Sequence, residues 1–318
     1  MKFRSFAIRV SSPVRLAAAV AAASALLTAF LPSAAAGIQN PYQAGAPSEF
    51  SAVYVFGDSL SDTGRLFAAT GIPPAPFYFN GRTSNGPLWP EYFSPAVGLA
   101  YAPLDNFAWV GANTGRTNVW ETPLRIDLPG MLDEVDEYVA GLGWRRRADR
   151  DALYVVFGGS NDFFRILSEG ADPAHIIPQA VLNLAKIVLR LQLLGAKHIV
   201  VINLPDLGLT PRVRASGPGP AAAITGLCVI FNVLLDGVLD WMPRDVVRVD
   251  AFSSLNAWFA APGLFGFTNV TDPGLLSGTN GDTYLFWDDI HPTTRAHALL
   301  AETVLEAIDE AWVQASRR

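Results

Sequence analysis

The chain has 318 residues, of which half are hydrophobic, and its formal net charge is −6. This length and composition allow a sizeable buried core, which argues against a disordered chain, and the acidic balance offers no basic patch for nucleic acid. The one cysteine, Cys228, cannot form an internal disulfide and is expected to pack in the core, as free cysteines in apolar patterns do.

The N-terminus has the pattern of a secretory signal peptide over residues 1–36. A basic segment reaches Arg15, an apolar run spans residues 16–31, and small residues stand at Ala34 and Ala36. This order is typical of a signal peptide that is cleaved after Ala36, and it predicts a secreted or periplasmic protein. No later apolar stretch is expected to reach the roughly 20 residues that span a bilayer, so no transmembrane segment is expected after cleavage.

The first strand is predicted at Val53–Phe56, and the chain breaks into Gly57, Asp58 and Ser59 directly after it. The bend is expected to need the conformational freedom of Gly57. Ligands of open α/β sheets bind beyond the carboxyl ends of the strands, so Ser59 is a candidate nucleophile. Alternatively, Asp58, Ser59 or Ser61 only caps a following helix, since serine and aspartate are preferred caps.

Strands and helices alternate in the rest of the chain. A stretch rich in proline, glycine and aromatic residues covers 62–150, and later strands are predicted in ALYVVF, HIVVINLP and DVVRVD. One helix is predicted in IIPQAVLNLAKIVLRLQLL and ends at Gly195, which is a typical C-cap. Two more helices are predicted, one at 221–241 and one that begins near Pro292. Apolar strands separated by helices predict a central parallel sheet covered on both faces, a three-layer α/β/α sandwich. Since no linker or repeat divides them, residues 37–318 are predicted to form a single domain.

Three polar clusters interrupt this apolar framework. One follows the first strand, one (GGSND, residues 158–162) follows the second, and one (WDDIHP, residues 287–292) precedes the last helix. Parallel strands present their ends on one side, so these clusters should converge. A serine nucleophile needs a base, and the base needs an orienting acid. Among the four histidines, His291 has an acid three residues before it in a loop, so Asp288 and His291 are expected to serve Ser59.

Each assignment has a competitor. Ser160 follows two glycines and is a rival nucleophile, and Asp289 competes with Asp288, although the spacing to His291 favours Asp288. His297 lies within the last predicted helix and is expected to face solvent or to pack. Loop ordering is the expected role of Asp58 and Asp162. Four aromatic residues are candidates for an acyl pocket or for the core: Phe77, Tyr78, Phe79 and Trp89.

Four sequence blocks, FGDSLSDTG, NFAWVGANTG, GGSND and WDDIHP, follow one another in this order. They resemble the blocks of the GDSL esterases and lipases, the SGNH hydrolase superfamily, over nearly the whole chain after residue 36. The resemblance implies a flavodoxin-like fold and a serine esterase or lipase that acts on acyl esters, with Ser59 as nucleophile, Asp288 as acid and His291 as base. It also implies an oxyanion hole made by the Ser59 N–H, the Gly111 N–H and the Asn161 side chain.

Other interpretations remain open at this point. Gly111 can be a turn glycine, and Asn161 can stabilise its own loop. The expected substrate is a small-molecule or lipid ester, and no cofactor and no metal are expected. An acyltransferase would use the same site with an alcohol in place of water, which sequence does not separate. A metal-dependent phosphoesterase would use a set of hard ligands: Asp58, Asn161, Asp162, Asp288 and His291.

Overall fold

The computed structural model describes residues 49–144, 146–279 and 281–316. The predicted signal peptide and the domain boundary at Gly37 lie outside these residues, so both stay predictions. The strands are β1 (Val53–Gly57), β2 (Leu153–Phe157), β3 (His198–Ile202), β4 (Val247–Val249), β5 (Asn269–Pro273) and β6 (Tyr284–Phe286). The helices are α1 (Arg65–Thr70), α2 (Trp89–Ala96), α3 (Glu121–Leu124), α4 (Met131–Gly141), α5 (Ser160–Glu169), α6 (Pro173–Leu194), α7 (Pro211–Arg214), α8 (Pro218–Leu239), α9 (Ala251–Ala260) and α10 (Thr294–Ser316).

The first four strands form one parallel sheet in the order β1-β2-β3-β4. Val53 pairs with Leu153, Leu153 pairs with His198, and Val200 pairs with Val247. All five residues of β2 are buried, because helices cover both faces of the sheet. The sequence prediction of a parallel sheet inside an α/β/α sandwich is therefore confirmed. A separate pair, β5 and β6, lies next to the last polar cluster.

Two apolar clusters fill the space on the two sides of the sheet. Tyr154 and Val156 of β2 pack with residues of α4, α6 and α8 on one side. Val155 and Phe157 pack with residues of α2, α9 and α10 on the other. The alternation follows from the two-residue period of a strand, which sends successive side chains to opposite faces. The sheet is thereby held in place, and its carboxyl edge becomes a fixed platform for the polar loops.

The predicted long helices are present with small shifts of their ends. α6 ends at Gly195, which has a left-handed φ of +113°, so the predicted C-cap is confirmed. The helix expected at 221–241 spans Pro218–Leu239, and the last helix begins at Thr294. Cys228 lies fully buried on α8, and burial raises the pKa of its thiol to about 12. The prediction that Cys228 packs in the core is confirmed.

Two helices contradict the expectation that no later segment is long and apolar enough to span a bilayer. α6 and α8 have 22 residues each, with mean hydropathies of 1.3 and 2.1 over their most apolar windows. The α6 window is 61% buried and the α8 window 28%. The mean hydropathy of α8 is high because the helix has no charged side chain before Asp236. Core helices pass the same test, so the finding concerns length and composition alone.

Candidate active site

The turn after β1 places Ser59 at the carboxyl edge of the sheet. Gly57 belongs to β1 and is not among the glycines with a positive φ, so the expectation that the bend needs its unusual dihedrals is wrong. Glycine is required there for another reason. A Cβ at Gly57 would collide with the carbonyl oxygen of Phe157 on the neighbouring strand β2.

The last polar cluster meets Ser59 at this edge. His291 Nε2 lies 2.9 Å from Ser59 Oγ, and His291 Nδ1 lies 2.7 Å from Asp288 Oδ2. Since an ionised carboxylate only accepts hydrogen bonds, Nδ1 carries the proton and Nε2 accepts the bond from the serine hydroxyl. The structure therefore brings together the three side chains that the sequence assigned as nucleophile, base and acid. Their catalytic roles stay predictions.

Hydrogen bonds fix the Asp288 carboxylate on both oxygens. Oδ1 accepts from the backbone N–H groups of Ile290 (2.9 Å) and His291 (2.7 Å), and Oδ2 also accepts from the Tyr78 hydroxyl (3.0 Å). Burial alone would raise the pKa of Asp288, but the adjacent His291 and these hydrogen bonds outweigh it and lower the pKa to about 2. Burial and the Asp288 charge raise the pKa of Tyr78, so it remains a phenol that donates. Asp288 is thus held ionised and oriented.

The rival residues occupy other positions. Asp289 forms a two-pronged ion pair with Arg212, at 2.7 and 3.0 Å, whereas the carboxylate bonded to His291 Nδ1 is that of Asp288. The Ser160 hydroxyl is buried and has no hydrogen-bond partner among the residues that the structure describes. Neither residue therefore replaces Ser59 or Asp288 in the hydrogen-bonded chain.

The three predicted oxyanion donors line one groove. This groove has a volume of about 680 Å³ and is bordered by Ser59, Gly111 and Asn161. Gly111 has a φ of +84°, and a Cβ there would approach Asn118 and Trp120 to 2.5 Å, so only glycine fits. Asn161 is the second residue of α5, and its side-chain amide donates to the Ala112 carbonyl at 3.0 Å. The arrangement supports the oxyanion assignment without testing it.

Buried acids hold the loops around the groove. Asp162 accepts from the Thr114 N–H (2.9 Å) and hydroxyl (3.1 Å), and so ties α5 to the loop that follows Gly111. Asp58 accepts from the Leu60 N–H at 3.0 Å, which holds the nucleophile turn. Burial raises the pKa of Asp58 to about 7 and that of Asp162 to about 6. These contacts agree with the loop-ordering role expected for both residues.

Sequence reasoning missed Glu134, which lies on α4 and is fully buried under the nucleophile turn. Its two oxygens accept from the N–H groups of Gly57 (2.8 Å) and Trp109 (3.2 Å). Burial raises the pKa of Glu134 well above its usual value. The glutamate thus joins β1 to the loop that carries Gly111. A helix sequence as rich in acids as MLDEVDEYV gives no sign of which acid points inward.

Asp62 is a second buried acid that the sequence did not single out. Its Oδ1 accepts from the N–H groups of Gly64 and Arg65, and its Oδ2 from those of Leu66 and Val110. One carboxylate thereby caps α1 and fixes the residue before Gly111. The alternative prediction that Asp58, Ser59 or Ser61 caps the following helix is therefore wrong, because Asp62 accepts these bonds.

Replacing Asp62 with alanine is expected to lower the free energy of unfolding by about 3 kcal/mol, because it leaves several buried N–H groups without a partner. Urea denaturation followed by circular dichroism measures this loss. The same change at the exposed Asp245 serves as the control and should alter stability by less than about 0.5 kcal/mol. An Asp62→Ala protein as stable as the wild type would show that water replaces the carboxylate.

The four aromatic candidates divide between groove, core and surface. Tyr78 lines the groove beside Asp288. Trp89 is fully buried, and its indole N–H donates to Ser61 Oγ at 3.0 Å. Phe77 is 60% exposed, and Phe79 is also exposed. These four residues therefore do not form a shared acyl pocket.

The ligand set of the metal alternative does not form a cluster. Within residues 49–144, 146–279 and 281–316, no three His, Cys, Asp or Glu side chains are grouped so that they could hold a metal ion. Asp288 and His291 bind each other, and Asp162 is occupied by Thr114.

Comparison with known proteins adds a family match. Residues 53–304 match the family model described as GDSL-like lipase/acylhydrolase. The thermolabile hemolysin of Vibrio parahaemolyticus is 27% identical over 286 residues, which cover 82% of this chain and 64% of that protein. The phosphatidylcholine-sterol acyltransferase of Aeromonas hydrophila is 27% identical over 316 residues, covering 83% and 91%.

A solved structure is also similar. A protein of the lipolytic G-D-S-L family from Veillonella parvula superposes with a TM-score of 0.45 at 13% identity, over 80% of this chain and 96% of that one. The present chain spans less than two thirds of the hemolysin's length.

Proposed function

Because the chain belongs to the family of GDSL-like lipases and acylhydrolases, we propose that it is a carboxylic ester hydrolase that works through an acyl-serine intermediate. The observation that carries this proposal is the hydrogen-bonded chain from Ser59 Oγ through His291 to Asp288, with links of 2.9 and 2.7 Å. A nucleophile, a base and an oriented acid in this order are the recurring machinery of acyl transfer.

In the first half of the reaction, Ser59 Oγ attacks the ester carbonyl carbon while His291 Nε2 takes the hydroxyl proton. The carbonyl oxygen becomes an oxyanion that the N–H groups of Ser59 and Gly111 and the amide of Asn161 stabilise. Collapse of this intermediate breaks the bond to the alcohol oxygen, which receives the proton from His291. The acyl group is then bound to Ser59.

In the second half, a water molecule attacks the acyl carbon and gives its proton to His291 Nε2. Ser59 Oγ leaves with that proton, and the carboxylic acid is released. Asp288 stabilises the imidazolium at both stages, because its low pKa keeps it negatively charged at neutral pH. The substrate of this reaction is a small-molecule or lipid ester.

Acyl transfer to an alcohol is the second candidate function. The groove of about 680 Å³ at Ser59 has room for an acceptor larger than water, and one relative is named an acyltransferase. The acyl-enzyme is the same in both reactions, so the acceptor that reaches it decides the product.

Dialysis against EDTA is expected to leave ester hydrolysis unchanged, because none of the proposed steps uses a metal ion. The rate of release of p-nitrophenol from p-nitrophenyl acetate, before and after dialysis, measures this. Loss of activity that Mg²⁺, Mn²⁺ or Zn²⁺ restores would favour the metal-dependent phosphoesterase instead.

We further propose that the protein is exported and acts in the periplasm or outside the cell, since residues 1–36 have the pattern of a signal peptide. Protein recovered from the periplasm or the medium is expected to have the intact mass of a chain that begins near Gly37. Recovery of the uncleaved chain only, and only from the cytoplasm, would contradict this proposal.

A further inference from the structure

A second cavity adjoins the groove at Ser59 and His291. Its volume is about 60 Å³, and Ser59 and His291 border both spaces. Buried apolar side chains from β2, β6, α9, α10 and the loop after β3 form most of its wall. They are Phe157, Leu207, Leu255, Trp258, Phe286 and Leu300. A small apolar space therefore lies directly beside the atom that is to carry the acyl group.

Besides Ser59 and His291, the polar side chains on this wall are those of Thr210, which donates to the Leu207 carbonyl, and of His297 and Ser160. His297 on α10 is 1% exposed, and both of its ring nitrogens lack a hydrogen-bond partner among the residues described. The buried hydroxyl of Ser160, on the same cavity, also lacks one. Burial lowers the pKa of His297 to about 3, so the ring is neutral and offers one donor and one acceptor. Buried polar atoms of this kind are usually paired, so these three atoms are exceptions among the residues that line the cavity.

We propose that this cavity is the acyl site of the enzyme, that it accepts acyl groups of about two to four carbons, and that the groove receives the alcohol part of the ester. The inference rests on the proposed function and adds its substrate class. The space open to water-sized groups in the cavity is about 60 Å³, so beyond the carbonyl carbon it admits only a few such groups. The groove is about ten times larger and has no such limit.

Side chains of the core set the length limit. An acyl chain longer than the cavity has to displace buried wall residues such as Phe157 and Phe286, which is costly in a packed core. The chain would also lie beside His297 and Ser160, whose unpaired polar atoms an alkyl group cannot satisfy. Packing and polarity together therefore select against long acyl chains.

The test measures kcat/KM for p-nitrophenyl acetate, butyrate, hexanoate and octanoate, which share one leaving group and differ only in the acyl chain. The kcat/KM of the wild type is expected to be at least tenfold lower for octanoate than for butyrate. Leu255→Ala enlarges the cavity, and His297→Leu removes the unpaired ring. Each is expected to raise the octanoate-to-acetate ratio about tenfold or more.

Leu184→Ala is the matched control, because Leu184 is equally buried but packs on the other side of the sheet and borders neither space. It should leave the octanoate-to-acetate ratio unchanged. If His297→Leu fails to fold, Leu255→Ala alone decides the outcome.

A wild type that prefers octanoate, or a ratio that does not move in the folded variants, would overturn the acyl-site proposal. Failure of the proposed function is recognised separately, because the wild type would then hydrolyse none of the four esters, and a serine-directed organophosphonate would leave Ser59 unlabelled. Labelled Ser59 with an unmoved ratio rejects only the acyl site.

Discussion

Ser59→Ala is expected to lower kcat on p-nitrophenyl acetate by about 10⁴–10⁶-fold, with the protein still folded. The change removes the hydroxyl oxygen that lies 2.9 Å from His291 Nε2 and that the imidazole is placed to activate. The proposed oxyanion donors and the groove remain, so a weak residual rate above the uncatalysed reaction is expected. Steady-state kinetics and circular dichroism of the same preparation measure the two quantities.

His291→Ala should cause a loss of similar size, because Ser59 and His291 act as one unit. The double variant should therefore be hardly slower than either single variant. Ser254→Ala is the control, since Ser254 on α9 donates its hydroxyl to the carbonyl of Asp250, the residue before that helix, and it should keep the wild-type kcat. Nearly full activity in folded Ser59→Ala would remove Ser59 from the mechanism.

Asn161→Ala is expected to lower kcat by about 10²–10³-fold, or roughly 3–4 kcal/mol of transition-state stabilisation. The Asn161 amide is held beside Gly111 by its bond to the Ala112 carbonyl, so a donor already in place is lost. KM should change little, because the developing charge exists in the transition state and not in the bound ester. Asn161→Asp should be at least as slow, since a carboxylate repels the oxyanion.

Asn232→Ala is the matched control for this prediction. Its amide makes two hydrogen bonds, at 2.9 and 2.8 Å, with the backbone of Leu204, and it borders neither the groove nor the second cavity. It should reduce stability without lowering kcat. A folded Asn161→Ala enzyme with nearly the wild-type kcat would show that Asn161 only stabilises its loop.

The regular part of the fold was predictable because it follows local patterns. β2 and β3 are short runs of buried apolar residues, and α6 has helical periodicity that ends at a glycine. The region 62–150 was not predictable in this way. It holds short helices and loops whose positions depend on single buried acids, such as Asp62 and Glu134, that bind distant backbone N–H groups.

The meeting of Ser59, Asp288 and His291 was predictable from reactive side chains that follow or flank apolar strands. Ser59, Asp288 and His291 stand out because polar residues interrupt apolar runs, and a parallel sheet brings such interruptions to one edge. Contacts between residues that are distant in the sequence could not be predicted in this way. The need for glycine at position 57 comes from the carbonyl of Phe157, a hundred residues away, and the cavity at His297 arises from five separate stretches of the chain.

Labelling with a serine-directed organophosphonate, followed by peptide mapping, tests the central claim most directly. We expect one adduct per chain, on the peptide that carries Ser59, with loss of ester hydrolysis in proportion to labelling. Ser59→Ala should remain unlabelled under the same conditions. An adduct on Ser160, or full inactivation with Ser59 unmodified, would contradict the assignment of Ser59 as the nucleophile.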